Sequence, residues 1–365
     1  MTYNALNQVR RITYPSDSNI GSYYVDYKYN KLGLVAEALD SMSLYKKIVT
    51  TYNNQGQVLS QTESTSAGAQ AITVSKRYDK GGNLRFAVDG RGNETEYVYD
   101  ALNRKTQEKV KVTVNGSLTT QTTSYAYDAN SNLLSVTDWR NNIVQNVYDP
   151  LNRLIQRKDA NNTVIETLTY DANHQQITSK DGNNHTTTFV YDKNNRLIEK
   201  YNYLNEAQSG TKISEKQEYD NLGRVVNKKD GKNNTTQYNY DAWGNLAWVK
   251  DATAKQTDFA YDYNGNLISQ TDSSGNITQF VYNARNLLQS KTDALGYIET
   301  NLYYANGTIS SQTDRNGMQT SYTYDIHSRL LTESKGGVSI SHTYDNKDDV
   351  SYYTYMDLSA NYFYE

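Results

Sequence analysis

A tyrosine standing just before a turn, as a rule with a Leu, Val or Ile six places later, recurs along all 365 residues. It appears as Tyr3, Tyr29, Tyr52, Tyr78, Tyr99, Tyr127, Tyr148, Tyr170, Tyr191, Tyr219, Tyr240, Tyr261, Tyr282, Tyr303, Tyr324 and Tyr344, and for Tyr170 the aliphatic residue comes one place late, at Ile177. The intervals are 26, 23, 26, 21, 28, 21, 22, 21, 28, 21, 21, 21, 21, 21 and 20. A period this persistent means a repeat array, in which each unit buries its apolar face against its neighbours.

The stretch YDYNGNLISQTDSSGN, residues 261–276, shows what one unit does. Asp262 and Gly265 stand in the same relation as Asp272 and Gly275. Asp is favoured at the first and Gly at the fourth position of a type I turn, so each pair reads as a chain reversal. Between them, LISQT (267–271) has the length and β-branched content of a short strand, and ITQFVY (277–282) is a second strand returning to the next turn. The unit is a β-hairpin, and sixteen of them give roughly thirty strands.

The first turn of the unit carries the pairs Tyr78-Asp79, Tyr99-Asp100, Tyr127-Asp128, Tyr148-Asp149, Tyr170-Asp171, Tyr191-Asp192, Tyr219-Asp220, Tyr240-Asp241, Tyr261-Asp262 and Tyr324-Asp325. Its Gly223, Gly244 and Gly265 give way elsewhere to Asn103, Asn152, Asn195 and Asn286, Asn being the best non-Gly residue at positive φ. Pro150 falls at the second turn position, where its fixed φ suits type I. The second turn recurs at Asp89, Asp138, Asp159, Asp181, Asp230, Asp251, Asp272, Asp293 and Asp314. Long intervals mark extended arms in this second half. Asn115-Gly116 is a type I′ hairpin signal, and Ser209-Gly210 and Ala67-Gly68 sit in the same place, so the three arms are expected at one edge of the sheet.

The expected fold is all-β: tandem hairpins in one long antiparallel sheet. At ~4.8 Å per strand such a sheet would extend on the order of 150 Å, whereas twisted sheets rarely exceed about ten strands without curling. It is expected to spiral into a hollow, shell-like wall, as a single array over 1–365, incomplete at both ends and with no separate second domain. Composition agrees with thin walls and little interior: mean hydropathy is -0.83, the hydrophobic fraction 36%, and 35 residues are Tyr. Tyr suits a half-wet position, its ring packed and its hydroxyl expected to stay hydrated.

A net charge of -3 provides no basic field for nucleic acid or an anionic membrane. No run of 18 apolar residues spans a membrane, no signal peptide is visible at Met1, and without Cys there is no disulfide frame or thiol chemistry.

Catalytic and metal-binding chemistry finds little support. The many Asp recur at turn positions, which explains them structurally. His174, His185, His327 and His342 lack metal-ligand spacing, and His174 and His327 read as solvated turn residues. DANSN (128–132) mimics the start of a calcium loop, but Leu133 and Trp139 stand where Gly and Glu are needed. Trp139, Trp243 and Trp248 could stack on sugars but read more readily as wall packing. No cofactor is expected, and the chain is not expected to be an enzyme.

The strings VYDPLNRLIQRKDANNTV (147–164), YDNLGRVVNKKDGKNNTTQYNYD (219–241) and YDYNGNLISQTDSSGNITQFVYN (261–283) resemble the YD repeat of the RHS (rearrangement hot-spot) and wall-associated toxin families, across essentially the whole chain. The resemblance implies a secreted or cell-surface bacterial protein whose β-strand spiral forms a shell around a C-terminal toxin or effector of the same or a partner chain. It also implies distant kinship with the teneurin adhesion receptors. The alternative is a cell-surface, glycan-binding or adhesion repeat module, because tandem aromatic repeats of about 20 residues also make cell-wall and glycan binders. Such shells commonly end in an Asp-Pro-x-Gly-Leu-like self-cleavage segment. Asp149-Pro150, followed by Leu151-Asn152, does not match it and is assigned no catalytic role.

Overall fold

Strand follows turn at the spacing of the sequence repeat. The computed structural model describes residues 1–42, 46–114, 117–203, 211–344, 350–357 and 362–364. These form 33 strands and, among the described residues, no helix. The stretch quoted above gives strands Leu267–Thr271 and Ile277–Tyr282. Most strands are five to seven residues long and half-buried on both faces, as the low aliphatic content requires.

The chain divides into two compact units: Met1–Thr95 with Ala260–Gln270 and Asn276–Glu365, and Glu96–Phe259 with Thr271–Gly275. In the second unit the strands from Lys105–Val114 to Gln256–Tyr261 pair antiparallel, each with the next in sequence. The same order holds in the first unit from Thr2–Tyr3 to Leu84–Val88 and from Ile277–Tyr282 to Tyr362–Tyr364. The long interval after Tyr99 yields the longest hairpin, Lys105–Val114 against Ser117–Tyr127; its Asn115-Gly116 tip, like Ser209-Gly210, lies outside the described residues. At Ala67-Gly68 a turn closes from the Gly68 amide to the Thr65 carbonyl, with Gly68 at φ +85°.

The first turn is more than a type I turn. Pairing slips by one residue at the repeated tyrosine: Val281 faces Ser290, but Tyr282 faces Leu288. The same slip occurs at Tyr148, Tyr191, Tyr219 and Tyr240. The turn therefore closes on a bulge whose left-handed residue is Gly265 (φ +82°) or, elsewhere, Asn103, Asn152, Asn195 and Asn286 (φ +59 to +63°).

Buried apolar side chains among the described residues are Ile20, Leu168 and Ile326, of which Ile20 is fully enclosed. Ile20 and Ile326 do not lie within a strand: Ile20 sits between Val9–Tyr14 and Tyr23–Tyr29, and Ile326 in the turn after Tyr324. Buried Asn19, Asp40, Ser64, Asn283 and Asp325 occur at similar places, at or beside strand ends of the first unit. The core of that unit is thus a seam where turns of its late repeats meet loops of its early ones.

Candidate functional site

Two structures recur or stand out: the stitch that joins each repeat to the next, and the seam of the first unit. The stitch is clearest at Asp149. Its Oδ1 accepts the amides of Leu151 (2.9 Å) and Arg153 (3.0 Å), while Oδ2 accepts Nε of Arg153 (2.7 Å). The Arg153 guanidinium then reaches the following repeat, donating from Nη1 to the Asp171 carbonyl (3.1 Å) and lying 4.9 Å over the Tyr170 ring. One arginine thus holds its own turn closed and clamps the next. Arg104, Arg196, Arg224 and Arg329 stack in the same way on Tyr127, Tyr219, Tyr240 and Tyr344, at 4.5–4.9 Å. Where the position holds an amide, the link persists: Asn132 bonds Asp128 and Asn152, and Asn266 bonds Asp262 and Asn286.

The repeated tyrosine completes the stitch, and its hydroxyl is not left to water as the sequence suggested. In eleven repeats it donates, at 2.6–3.0 Å, to the carbonyl of the residue six places after the preceding repeat's tyrosine. That residue is the one opposite the slipped tyrosine, as Leu154 is opposite Tyr148 and receives Tyr170 Oη at 2.8 Å. Removing one such bond with Tyr170→Phe, which leaves the ring under Arg153, is expected to cost about 0.5–1.5 kcal/mol in urea denaturation. No measurable loss would mean the hydroxyl is hydrated after all.

The other first-turn aspartates are placed alike. Asp79, Asp100, Asp128, Asp171, Asp192, Asp220, Asp241, Asp262 and Asp325 each accept the amide four residues on through Oδ1. Gly223, Gly244 and Gly265 donate back to the aspartate carbonyl, as Gly275 does to Asp272 in a second turn. Among the repeated tyrosines, Tyr324 meets Tyr304 edge-on at 6.3 Å.

These bonds hold many turn carboxylates below their ordinary 3.8. The Arg153 amide is the first cause at Asp149, the Arg104 amide at Asp100 and the Asn132 side chain at Asp128. A depressed folded pKa contributes stability that is present above the unfolded value and is lost as pH falls through the folded one. Burial raises Asp40 instead, so that one group works in the opposite sense. The melting temperature is therefore expected to drop between pH 7 and about pH 3, followed by circular dichroism. A flat profile would contradict the carboxylate bonding.

The seam joins residues 264 positions apart. Asn283 Nδ2 donates to Asn19 Oδ1 (3.3 Å), Arg285 Nη2 to the Gly21 carbonyl (2.8 Å), and His327 Nδ1 meets Glu63 Oε1 (2.7 Å), all at that offset. Arg285 Nε also donates to the Pro15 carbonyl (2.5 Å), and the guanidinium bonds the Ala305 carbonyl. Asp17 folds its loop by accepting the amides of Asn19 and Ile20 and reaches across to the Ala284 amide at 2.6 Å, the main cause of its lowered pKa. Glu63 is shared, pairing also with Lys46 at 2.7 Å.

A cavity of about 320 Å³ lies in the seam, lined by Tyr23, Asp40, Lys46, Tyr304, Tyr324 and Asp325 among others. Burial pushes the Tyr23 hydroxyl up to about 12.

Several sequence-based expectations change here. His327 is not solvated: its side chain is 6% exposed, bonded by Glu63 and by the Gln70 carbonyl. Trp243 does not pack into a wall, being 83% exposed at the third position of its turn, and Trp139 is half exposed beneath Arg140. Asp17, Asn19, Ile20 and Arg285 were not singled out from sequence. Their trace is there, since the first three intervals of 26, 23 and 26 residues lengthen the early loops. The third turn position also holds Arg285 and His327, where most other first turns carry Leu or Asn.

The RHS Repeat family model matches residues 219–256, 261–298 and 303–338. Similar solved structures include a crystal structure of TcdB2-TccC3 (13% identity, TM-score 0.77, covering 100% of this chain and 24% of that one). A TcdB2-TccC3-Cdc42 crystal structure is also similar (13%, 0.75, 94% and 22%), as is a Tc holotoxin pore from Photorhabdus luminescens (14%, 0.65, 95% and 22%). At these identities the likeness shows the fold, and the chain spans under a quarter of each of those chains. No curated protein matches the chain by sequence.

Proposed function

We propose that the chain, three stretches of which match the RHS Repeat family, is a stretch of repeat wall whose role is to enclose or carry a C-terminal toxin or effector of the same or a partner chain. The observation that carries this reading is the seam. Late repeats of the first unit resting on its early ones, at offsets of 257 to 282 residues with three contacts at 264, support a sheet that coils back on itself. A coiled sheet has an inner face, and strands half-buried on both faces leave side chains to line it. That a Tc holotoxin pore is among the structures of similar fold supports this reading.

In this reading residues 1–365 are one continuous array with a structural role and no reaction of its own, and the turn residues are its framework. The alternative is an adhesion or glycan-binding module, which specific retention on cell-wall material would favour.

Reading the source DNA past codon 365 tests the proposal. It expects a domain unrelated to the repeats downstream, in the same or an adjacent frame. Finding none would contradict the carrier role.

A further inference from the structure

Within the first unit, one edge of the sheet already docks on the other. The first-turn edge at Asn283–Leu287 and Asp325–Arg329 sits on the second-turn edge formed by the Pro15–Gly21 and Thr65–Gln70 loops. Among the side chains that cross are those at the third turn position, Arg285 and His327. In the second unit that same position holds Leu102, Leu151, Leu222 and Trp243, which are 63%, 59%, 78% and 83% exposed, interspersed with Asn130, Asn173 and Asn194. Large apolar side chains repeated at a docking position and facing solvent mark an interaction surface. Its complement is also present: the second-turn edge of the late repeats exposes Leu295 (78%), Tyr297 (47%) and Met318 (46%).

We propose that the first-turn edge of the second unit docks on the second-turn edge of a second copy of this chain, apolar row to apolar row, in the sense of the contact seen at the seam. The occupant follows from continuity with the seam, where a first-turn edge of this sequence is seated on a second-turn edge of this sequence. Such a contact is heterologous, so each copy keeps one edge of each kind free and association does not stop at two. The inference concerns the edges alone and does not rest on the cargo.

Sedimentation velocity on the whole chain, from about 1 to about 100 µM, tests it. The wild type is expected to show species that grow with concentration. Leu222→Asp with Trp243→Asp, or Leu295→Asp with Met318→Asp, is expected to weaken association more than about tenfold. These side chains are exposed, so the thermal midpoint should be unchanged; Leu222→Asn, the residue at the same position in Asn130 and Asn264, serves as a second, turn-compatible variant. Mixing the two double variants should restore pairing, since each keeps one intact edge, and the pairs should stop at two. A monomer throughout the range, association unaffected by either variant, or no pairing in the mixture would each overturn the proposal.

Discussion

Asp325→Ala is expected to destabilise the first unit by about 3–5 kcal/mol, far more than the equivalent change at an exposed turn. The carboxylate is 4% exposed and accepts Arg329 Nε at 2.7 Å and Nη2 at 2.6 Å, together with the amides of His327 and Arg329. Alanine removes every one of these and leaves the Arg329 guanidinium, itself 17% exposed, without its carboxylate. The His327 backbone that carries the Glu63 contact loses its anchor as well. Asp138, in a second turn beside the exposed Trp139 and Arg140, is only half-buried, and its carboxylate accepts the Arg140 and Asn142 amides and Nδ2 of Asn142. Asp138→Ala should therefore cost about 1 kcal/mol or less. Urea denaturation of the two variants gives the comparison. Equal costs would mean that the seam adds nothing to the turn.

Ile20→Ala is expected to cost about 2–5 kcal/mol, the range for a buried aliphatic side chain whose surroundings cannot fully collapse. Ile20 is 1% exposed, and buried apolar residues are few among those described, so the loss falls on the core of the first unit. The effect should also be local. In hydrogen exchange, the Ala284 amide held by Asp17 should open earlier, while amides of the second unit keep their protection. A cost near that of a surface substitution, about 0.5 kcal/mol, would contradict the seam's packing.

The hairpin was legible because its determinants are local. Asp262, Gly265, Asp272 and Gly275 set two reversals, and the β-branched run between them has nowhere to go but a strand, so LISQT and ITQFVY match the observed strands residue for residue. The register slip at the tyrosine was not read, because it depends on how the turn closes. Once the slip is known, the spacing of six from tyrosine to aliphatic residue acquires a second meaning. It fixes which carbonyl the next tyrosine's hydroxyl meets.

The seam was beyond local reading, since its partners stand 257 to 282 residues apart and a period of 21 does not say which repeats meet. His327 and Trp243 show the consequence. Both occupy the third position of the same turn, and what lies opposite decides that one is nearly buried and the other is in water.

The return of the chain on itself can be tested with a single covalent probe, because the sequence contains no cysteine. A Cβ on Gly21 would lie 3.9 Å from Cβ of Ala305, within the spacing that a disulfide requires. The double variant Gly21→Cys with Ala305→Cys, oxidised at low protein concentration, is expected to lose both free thiols and migrate as a faster, cross-linked monomer on non-reducing electrophoresis. Thiols that stay free, or that join only between chains, would contradict the seam and with it the coiled wall.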